Sequence, residues 1–374
     1  MGRARYYLRS LAPGKELAGV TEATNPSRTA VQTALNHEVE AAISSKSLDP
    51  PSSFVYSYWT VRASPDPRRA VGLIGLGNMG TAIAERLLDG GYELLVYNRT
   101  PGKADALAAR GAAVAETGAD LAAQTDVVLT SLANDDAFEA VAAEVVPAAR
   151  PGSVLVDVST VSPAASARVA SLADAASVAY LRAPVSGNPT VVRAGNLSII
   201  VSGPLETFER VEPLIRAIGP TVHHVGDGEQ ARIVKLAINL MIAGLAQLMS
   251  EALVLGEAAG VSRQDLLEVM ATSAAGAPFV KYKTEPLLRD DFSATFTTAL
   301  MEKDIDLVLD AADEAGVELP VASQMKELLR AAIEAGYADQ DFMALFLYLR
   351  SLSGRQAPLP LSGMGGHSDQ EVVR

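Results

Sequence analysis

V-G-L-I-G-L-G-N-M-G, from Val71 to Gly80, is the stretch that decides the fold of this chain. A short apolar run predicts a buried strand that leads into a glycine-rich turn, and a helix is predicted to begin near Asn78. Gly75 permits the tight turn, Gly77 lets the backbone approach a pyrophosphate, and Gly80 lets the helix pack closely on the strand. Because a helix N-terminus carries partial positive charge, we expect the phosphates of a dinucleotide to lie there.

The end of the next predicted strand, Leu94 to Tyr97, indicates which dinucleotide is bound. An acidic residue at this point would bind the ribose hydroxyls of NAD, whereas an arginine accepts the 2′-phosphate of NADP. The chain has Asn98, Arg99 and Thr100 there. Arg99 either pairs with and stacks on the phosphate-bearing end or is a solvated surface side chain; we predict the former, and NADP(H) as the cofactor. The residues predicted to bind it are Gly75, Gly77, Asn78, Met79, Gly80, Asn98, Arg99 and Thr100.

Short apolar runs alternate with helical segments after residue 70, which predicts an α/β domain with a Rossmann-like doubly wound parallel sheet. The predicted strands are Val71 to Ile74, Leu94 to Tyr97, Val127 to Leu132, Val154 to Val158, Ala179 to Leu181, Ile199 to Val201 and Val222 to Val225. The strand pattern stops after Gly228, and a long helix from Glu229 to Ala259 opens an all-α region. We therefore predict an NADP-binding domain over residues 70–228 and an all-α domain over residues 229–352.

The two ends of the chain differ in composition from these domains. Residues 1–69 mix Arg, Ser, Pro and Thr without helical or strand periodicity, so we predict a disordered extension. One alternative is a mitochondrial-type presequence, although the acidic residues of this segment disfavour it. The other is a natural translation start near Val61 or Val71. Residues 353–374 are rich in Pro, Gly and Ser and are expected to form a flexible tail.

Charge and composition exclude several classes of function. A formal net charge of -13 argues against non-specific binding to nucleic acid or to anionic membrane, because both need a cationic surface. The absence of cysteine excludes disulfides, thiolate metal sites and cysteine nucleophiles, and it fits a cytoplasmic protein. The longest apolar stretch, Leu236 to Met249, contains Asn239 and Gln247 and is too short to span a bilayer comfortably, so we predict a buried helix. No metal site is predicted.

Three further segments carry residues suited to chemistry. Asp157 to Pro163 reads D-V-S-T-V-S-P directly after a strand, where open α/β sheets place ligands, and its hydroxyls and amides could hold a carboxylate. Ala183 to Gly187 reads A-P-V-S-G after the next strand. On the long helix, Lys235 and Asn239 lie one turn apart on one face. From this helix alone, Lys235 is either a general acid and base or a lysine whose stem packs while its head reaches water.

Taken together, these stretches resemble the β-hydroxyacid dehydrogenase family, which includes 3-hydroxyisobutyrate dehydrogenases. The resemblance covers about Val71 to Leu352. The matching marks are G-L-G-N-M-G at Gly75 to Gly80, N-R-T at Asn98 to Thr100, D-V-S-T at Asp157 to Thr160, P-V-S-G at Pro184 to Gly187, the Lys235 and Asn239 pair, and L-M-E-K-D at Leu300 to Asp304.

The resemblance implies an oxidoreductase that acts on CH-OH groups (EC 1.1.1 type). Such an enzyme transfers hydride between NADP(H) and a short β-hydroxyacid, or the matching semialdehyde or oxoacid. It assigns general acid and base work to Lys235, places Asn239 on the substrate, and places Lys303 near the nicotinamide. The residues that it assigns to substrate binding are Ser159, Thr160, Ser186 and Gly187. It further implies an all-α domain that completes the cleft and mediates formation of a homodimer or higher homo-oligomer.

Two departures from the family pattern bear on the pocket. Arg182 replaces an Asp that many members have, and Asn188 replaces a second Gly, so the pocket floor is expected to differ in charge and width. Phe292 and Phe296 are predicted to be helix core. Two alternative functions are an imine reductase, which Lys235 disfavours, and a non-catalytic dehydrogenase-like NADP-binding module, which usually lacks this lysine.

Overall fold

The computed structural model describes residues 71–354, which all belong to one compact unit of the chain. The predicted disordered extension, residues 1–69, lies outside the described residues, as does the predicted tail apart from residues 353 and 354.

A six-stranded parallel sheet forms the centre of the first half, in the order β3-β2-β1-β4-β5-β6. This is the strand order of the Rossmann fold, and it confirms the predicted fold class. The strands are β1 Val71–Ile74, β2 Leu94–Tyr97, β3 Ala113–Val114, β4 Val127–Thr130, β5 Val154–Asp157 and β6 Ala179–Arg182. The order reverses between β1 and β4, which pair in register from Val71 opposite Val127. A crevice therefore opens at the carboxyl ends of these two strands, directly above the glycine loop.

A second sheet of three strands, which the sequence pattern did not separate from the first, follows in the chain. Its strands are β7 Val185–Ser186, β8 Ser198–Val201 and β9 Thr221–His224. β7 pairs with β8 in the antiparallel sense, and β8 pairs with β9 in parallel. The last two predicted strands thus belong to this small sheet. It holds the P-V-S-G segment next to the end of β6.

Helices cover both faces of the large sheet and build the whole second half. Those of the first half are α1 Asn78–Asp89, α2 Asp105–Ala108, α3 Gly118–Gln124, α4 Asp135–Ala148, α5 Pro163–Ala175, α6 Pro189–Arg193 and α7 Leu205–Ile218. Those of the second half are α8 Gln230–Ala258, α9 Arg263–Thr272, α10 Pro278–Leu288, α11 Thr298–Glu314, α12 Pro320–Ala332 and α13 Leu345–Leu352, with a π-helical turn at Ile333–Tyr337 and a 3-10 turn at Phe342–Ala344.

Alternate residues of the large sheet supply two separate cores. Leu73 and Val156 pack with α1 and α7 on one face, whereas Ile74 and Leu155 pack with α3, α4 and α5 on the other. Because both faces are covered, every residue of β1 and β5 is buried, as expected for a parallel sheet. A third core fills the all-α half around α8.

Helix α8 connects the two halves and is 29 residues long. Among the described helices, it is the one whose length and apolar composition would allow it to cross a membrane, a test that core helices also pass. Ala243, Ala246 and Leu253 on this helix are buried in the all-α core. Its first turns lie beside the crevice, so α8 carries its polar residues into the site.

Candidate active site

The glycine loop has the geometry that a bound pyrophosphate requires. Gly75 has a φ of 94°, and a Cβ there would lie 2.2 Å from the carbonyl oxygen of Ser131. A Cβ on Gly80 would lie 1.9 Å from the carbonyl oxygen of Gly75, so both positions exclude any side chain. A Cβ on Gly77 would meet no atom within 4 Å, and the N-terminus of α1 at this residue has no side-chain cap. The open face and the uncapped amides fit a dinucleotide phosphate.

Of the three residues that follow β2, Asn98 is held by hydrogen bonds, whereas the next two are exposed. The Asn98 side chain accepts a hydrogen bond from Leu76 N (2.9 Å) and donates one to the carbonyl oxygen of Thr100 (3.1 Å). Asn98 therefore ties the end of β2 to the glycine loop. Arg99 and Thr100 are exposed.

A cavity of about 620 Å³ extends from the glycine loop into the all-α half. Ten of the predicted residues line it: Gly77, Asn78, Met79, Ser159, Thr160, Ser186, Gly187, Lys235, Asn239 and Lys303. The other predicted residues, Gly75, Gly80, Asn98, Arg99 and Thr100, shape the glycine loop or follow β2. The fold thus brings residues from five distant segments of the chain to one cavity.

The Lys235 ammonium group lies inside this cavity. Its Nζ donates a hydrogen bond to Asn239 Oδ1 at 2.8 Å, one turn further along α8. Burial lowers the pKa of Lys235 to about 8; the negative charge of Asp304 opposes this shift, and the positive charge of Lys303 adds to it. A lysine with such a pKa can donate and accept a proton near neutral pH.

Asp304 joins this pair to the opposite wall of the cavity. Its fully buried carboxylate accepts a hydrogen bond from Asn239 Nδ2 and forms an ion pair with Lys303, with 2.8 Å between Lys303 Nζ and Asp304 Oδ1. Lys303 Nζ also donates to the carbonyl oxygen of Thr160 at 2.8 Å. A continuous polar chain therefore runs from Lys235 through α11 to the loop after β5.

The Ser159 hydroxyl is held inside the protein rather than pointing at a ligand. It donates to Asp157 Oδ1 at 2.6 Å and accepts from Leu132 N at 2.8 Å. Its single proton is thus already used in this structure. Ser159 keeps the loop after β5 in shape, and its predicted contact with a carboxylate stays a prediction.

Arg232 fixes the same loop from below. The guanidinium is 1% exposed; it donates to Asp157 Oδ2 at 2.5 Å, to the carbonyl oxygen of Ser159 at 2.6 Å and to the Tyr180 hydroxyl at 2.8 Å. Because Arg232 lies one turn before Lys235, this cluster sets the position of the first turn of α8 against the crevice.

The P-V-S-G segment forms the side of the cavity next to α8. Gly187 has a φ of 141°, and a Cβ there would lie 2.8 Å from the Leu197 side chain, so the chain turns where only glycine fits. Asn188 lines the cavity, and its side chain caps α6 by accepting a hydrogen bond from Val191 N.

Arg182 is absent from the described lining of the cavity. It forms an ion pair with Glu229, at the start of α8, so Glu229 compensates its charge. The expected change of pocket charge at Arg182 is therefore not observed.

Three contributions to the site were not predicted from the sequence. Asp304 stands in the L-M-E-K-D motif, where an acidic residue on a buried helix face was a usable signal. The partnership of Asp157 with Arg232 joins residues 75 positions apart and had no local signal. Phe292 and Phe296, predicted as helix core, lie in the loop before α11 and not in a helix. Both pack against the all-α core, and Phe296 also lines the cavity and packs on Phe342.

Comparison with known families agrees with this geometry. The model of the NAD binding domain of 6-phosphogluconate dehydrogenase matches residues 70–226. The model described as NAD-binding of NADP-dependent 3-hydroxyisobutyrate dehydrogenase matches residues 229–349. The two matches adjoin each other and span both halves of the cavity.

Individual relatives are similar over the same part of the chain. The 2-(hydroxymethyl)glutarate dehydrogenase of Eubacterium barkeri is 31% identical over 288 residues, which are 76% of this chain and 96% of that protein. The NAD-dependent L-serine dehydrogenase of Pseudomonas aeruginosa is 31% identical and covers 73% of this chain and 95% of its own length. The solved structure of Mycobacterium tuberculosis 3-hydroxyisobutyrate dehydrogenase with L-serine is 30% identical, with a TM-score of 0.70, and covers 76% of this chain and 99% of its own.

Proposed function

The chain belongs to the β-hydroxyacid dehydrogenase family, and from this premise we propose that it transfers hydride between NADP(H) and a short β-hydroxyacid, or its semialdehyde or oxoacid, with Lys235 as general acid and base. As a member of this family it is an oxidoreductase that acts on CH-OH groups and binds a nicotinamide dinucleotide. The choice of NADP(H), the substrate and the roles of individual residues are our proposals.

One observation carries the proposal: Lys235 Nζ, with a pKa of about 8, lies in the same cavity as the glycine loop. Burial of an ammonium group costs folding free energy, because few protein groups compensate its lost hydration. A lysine that is buried in spite of this cost is expected to have a function. Here the single described acceptor within hydrogen-bond distance is Asn239 Oδ1, which leaves the other N–H bonds for a substrate oxygen.

The proposed proton transfer follows from these contacts. Bound NADP+ supplies the acceptor for the hydride. As the substrate alcohol is oxidised, neutral Lys235 accepts the hydroxyl proton at Nζ; in the reverse direction, the ammonium group protonates the carbonyl oxygen. Asn239, held by Asp304, orients Nζ. The link from Asp304 through Lys303 to Thr160 fixes the distance between the lysine and the loop after β5.

We assign the carboxylate of the substrate to the other side of the cavity, at Thr160, Ser186 and Gly187. These residues line the cavity on the loops after β5 and at β7, where backbone amides and hydroxyls are grouped. Two relatives act on or bind carboxylates with a hydroxymethyl group, namely 2-(hydroxymethyl)glutarate and L-serine. We propose that the carboxylate and the hydroxyl of the substrate are held in the same way, between these loops and Lys235.

The most direct test of the function is a substrate and cofactor screen. NADP+ and NAD+ reduction would be measured with 3-hydroxyisobutyrate, L-serine and 2-(hydroxymethyl)glutarate, and NADPH oxidation with glyoxylate, succinic semialdehyde and a cyclic imine. Turnover of a hydroxyacid or semialdehyde supports the proposal. Turnover of the imine alone would instead support the imine reductase alternative, and binding of NADPH without any turnover would support the non-catalytic module.

Arg99 carries the proposed preference for NADP(H), so we expect Arg99→Asp to reverse it. The substitution removes the partner of the 2′-phosphate and offers a carboxylate to the ribose hydroxyls. We expect the affinity ratio of NADPH to NADH to fall at least tenfold, measured by fluorescence titration of both cofactors. Lys103→Asp makes the same charge change at another exposed position nearby and serves as the control. Unchanged relative affinities in Arg99→Asp would contradict the assignment.

We also propose that each chain has two domains, residues 70–228 and 229–352. We further propose that two chains form a homodimer, and that the protein is cytoplasmic. An exposed apolar stripe along α8 supports self-association: Ile233, Met241, Leu248 and Leu255 are 48%, 69%, 67% and 72% exposed. The last three are spaced by seven residues and therefore lie on one side of the helix. Sedimentation of the full chain measures its oligomeric state.

A further inference from the structure

One part of the cavity lining is apolar and aromatic, and its residues all belong to the all-α half. It consists of Ile242, Phe279, Tyr282, Phe296, Met301 and Phe342, which we call the aromatic compartment. Three of these side chains, Phe279, Met301 and Phe342, are buried, whereas Tyr282 is exposed. The proton-transfer pair and the glycine loop do not account for this part of the cavity.

The Ile242 end of the aromatic compartment lies too far along α8 for a three-carbon acid to reach it. Ile242 is seven residues after Lys235, which at 1.5 Å per residue is about 10 Å along the helix axis. A three-carbon acid spans roughly 3 Å of carbon chain, at about 1.5 Å per bond. When such an acid is held by Lys235 and the Gly187 loop, it leaves the compartment to another part of a larger substrate.

The wall of the aromatic compartment is built as a fixed surface. The Phe279 and Phe342 rings stack with centroids 5.7 Å apart, and the Phe296 ring meets Phe342 edge-on at 6.1 Å. Behind them, Lys283 Nζ pairs with Asp341 at 2.7 Å and lies 4.8 Å from the Phe342 ring. Because these two buried charges compensate each other, the compartment presents an apolar surface of the kind that binds alkyl and aryl groups.

We propose, building on the proposed function, that the aromatic compartment binds an apolar substituent at C2 of the substrate. The substrate class is then a 3-hydroxypropanoate that carries an alkyl group of about four carbons, or a benzyl group, at C2. The hydroxymethyl carbon loses a hydride to NADP+ and its hydroxyl loses a proton to Lys235. R-CH(CH2OH)-COO− and NADP+ thus give R-CH(CHO)-COO−, NADPH and a proton.

The test uses a substrate series with the full-length protein. The 2-methyl, 2-ethyl, 2-propyl, 2-butyl and 2-benzyl 3-hydroxypropanoates are compared by kcat/KM for NADP+ reduction. Each methylene that enters an apolar pocket is expected to raise kcat/KM roughly fourfold. 2-(Hydroxymethyl)glutarate, whose arm ends in a charge, is the matched control and is expected to fall at least tenfold below the 2-butyl compound. A flat series, or equal kcat/KM for the charged arm, would overturn the proposal.

A binding measurement separates this proposal from the proposed function. Calorimetric titration of the full chain with NADPH compares 2-benzylpropanoate with 2-methylpropanoate, neither of which can be oxidised at a hydroxymethyl group. We expect the benzyl compound to bind at least tenfold more tightly. If the benzyl compound binds more tightly but no hydroxyacid is turned over, the proposed chemistry is refuted and binding of the apolar substituent in the compartment is supported. If hydroxyacids are turned over but the two affinities are equal, only the proposed role of the compartment is refuted.

A substitution locates the effect. Ile242→Trp fills the compartment from α8, so the ratio of kcat/KM for the 2-benzyl and 2-methyl compounds is expected to fall at least tenfold. A ratio that stays at the value of the unmodified protein, with a folded variant, contradicts the assigned place of the substituent. If the variant does not fold, the series and the titration still decide the proposal, because both use the unmodified chain.

Discussion

Arg232 and Lys235 lie one turn apart on the same helix, yet their surroundings differ in every respect that matters for chemistry. The Arg232 guanidinium is 1% exposed and donates to the carboxylate of Asp157, to a backbone carbonyl and to a hydroxyl. Lys235 lies in the cavity, and Asn239 Oδ1 is the one described acceptor within hydrogen-bond distance of its Nζ.

The difference shows how one helix uses two cations for two purposes. A guanidinium stays charged at any physiological pH, so burial is tolerated only with a full set of partners, and it then anchors what it touches. An amine responds to burial by a lowered pKa, and with few partners it becomes able to release its proton. The Arg232 cluster thus fixes α8 on the sheet, and the neighbouring turn is left reactive.

The largest effect is expected from removal of the anchor. Arg232→Met leaves the Asp157 carboxylate buried without its cation, and breaking a buried pair in this way costs about 3–5 kcal/mol of unfolding free energy. Chemical denaturation followed by circular dichroism measures this loss. Arg289→Met breaks an exposed pair with Glu285 and is the control, with an expected loss below about 1 kcal/mol. Equal losses in the two variants would show that the Arg232 cluster is not an anchor.

Lys235→Ala should have the opposite character, with a small effect on stability and a severe one on turnover. Loss of a general acid and base lowers kcat by about 10²- to 10⁴-fold. Steady-state kinetics measures kcat, and fluorescence titration checks that NADPH still binds. Lys281→Ala, at an exposed position of the same half, is the control. Near-normal kcat in Lys235→Ala would reject the lysine as the proton-transfer group.

The pH dependence sharpens the same contrast, because Lys235, unlike the guanidinium of Arg232, has a pKa of about 8. With a pKa of about 8, neutral Lys235 is the form that accepts a proton, so kcat/KM for alcohol oxidation should drop about tenfold per pH unit below 8. Carbonyl reduction needs the ammonium form, and its kcat/KM should drop about tenfold per unit above 8. Profiles with the same direction in both reactions would contradict a single proton-transfer group.

Local signals made the glycine loop and its flanking strand and helix predictable. Gly75, Gly77 and Gly80 act within ten residues of one another, and the positions of β1 and α1 follow from the same stretch. The pair of Lys235 and Asn239 was equally accessible, because residues four apart on a helix lie on one face. Here the structure adds distances to what the sequence pattern already predicts.

Contacts between distant segments explain what was not predicted. Strands β3 and β7 have two residues each, and their neighbours in the sheets decide them rather than any periodicity. Asp304 lies 65 residues from Asn239, and no spacing rule links two helices that meet only after folding. The hydrogen bond from the Ser159 hydroxyl to the Asp157 carboxylate was likewise not predicted, because the sequence pattern of the segment indicated only a ligand group.

The smallest effect is expected at Asp304, which tunes the reactive turn without touching Lys235 directly. The negative charge of Asp304 raises the pKa of Lys235 against the effect of burial, so Asp304→Asn should bring that pKa below about 8. The plot of kcat/KM for alcohol oxidation against pH falls on its acidic side, and this limb would then move to lower pH by a fraction of a unit, as measured with the same pH series. Asp306→Asn removes a charge from the same helix, where it pairs with Lys326, and should leave the limb in place. A limb that stays in place or moves to higher pH in Asp304→Asn would mean that the carboxylate orients Asn239 but does not set the charge of the lysine. Lys235 would then owe its lowered pKa to burial and to the positive charge of Lys303, and the contrast with Arg232 would rest on the number of hydrogen-bond partners rather than on a neighbouring carboxylate.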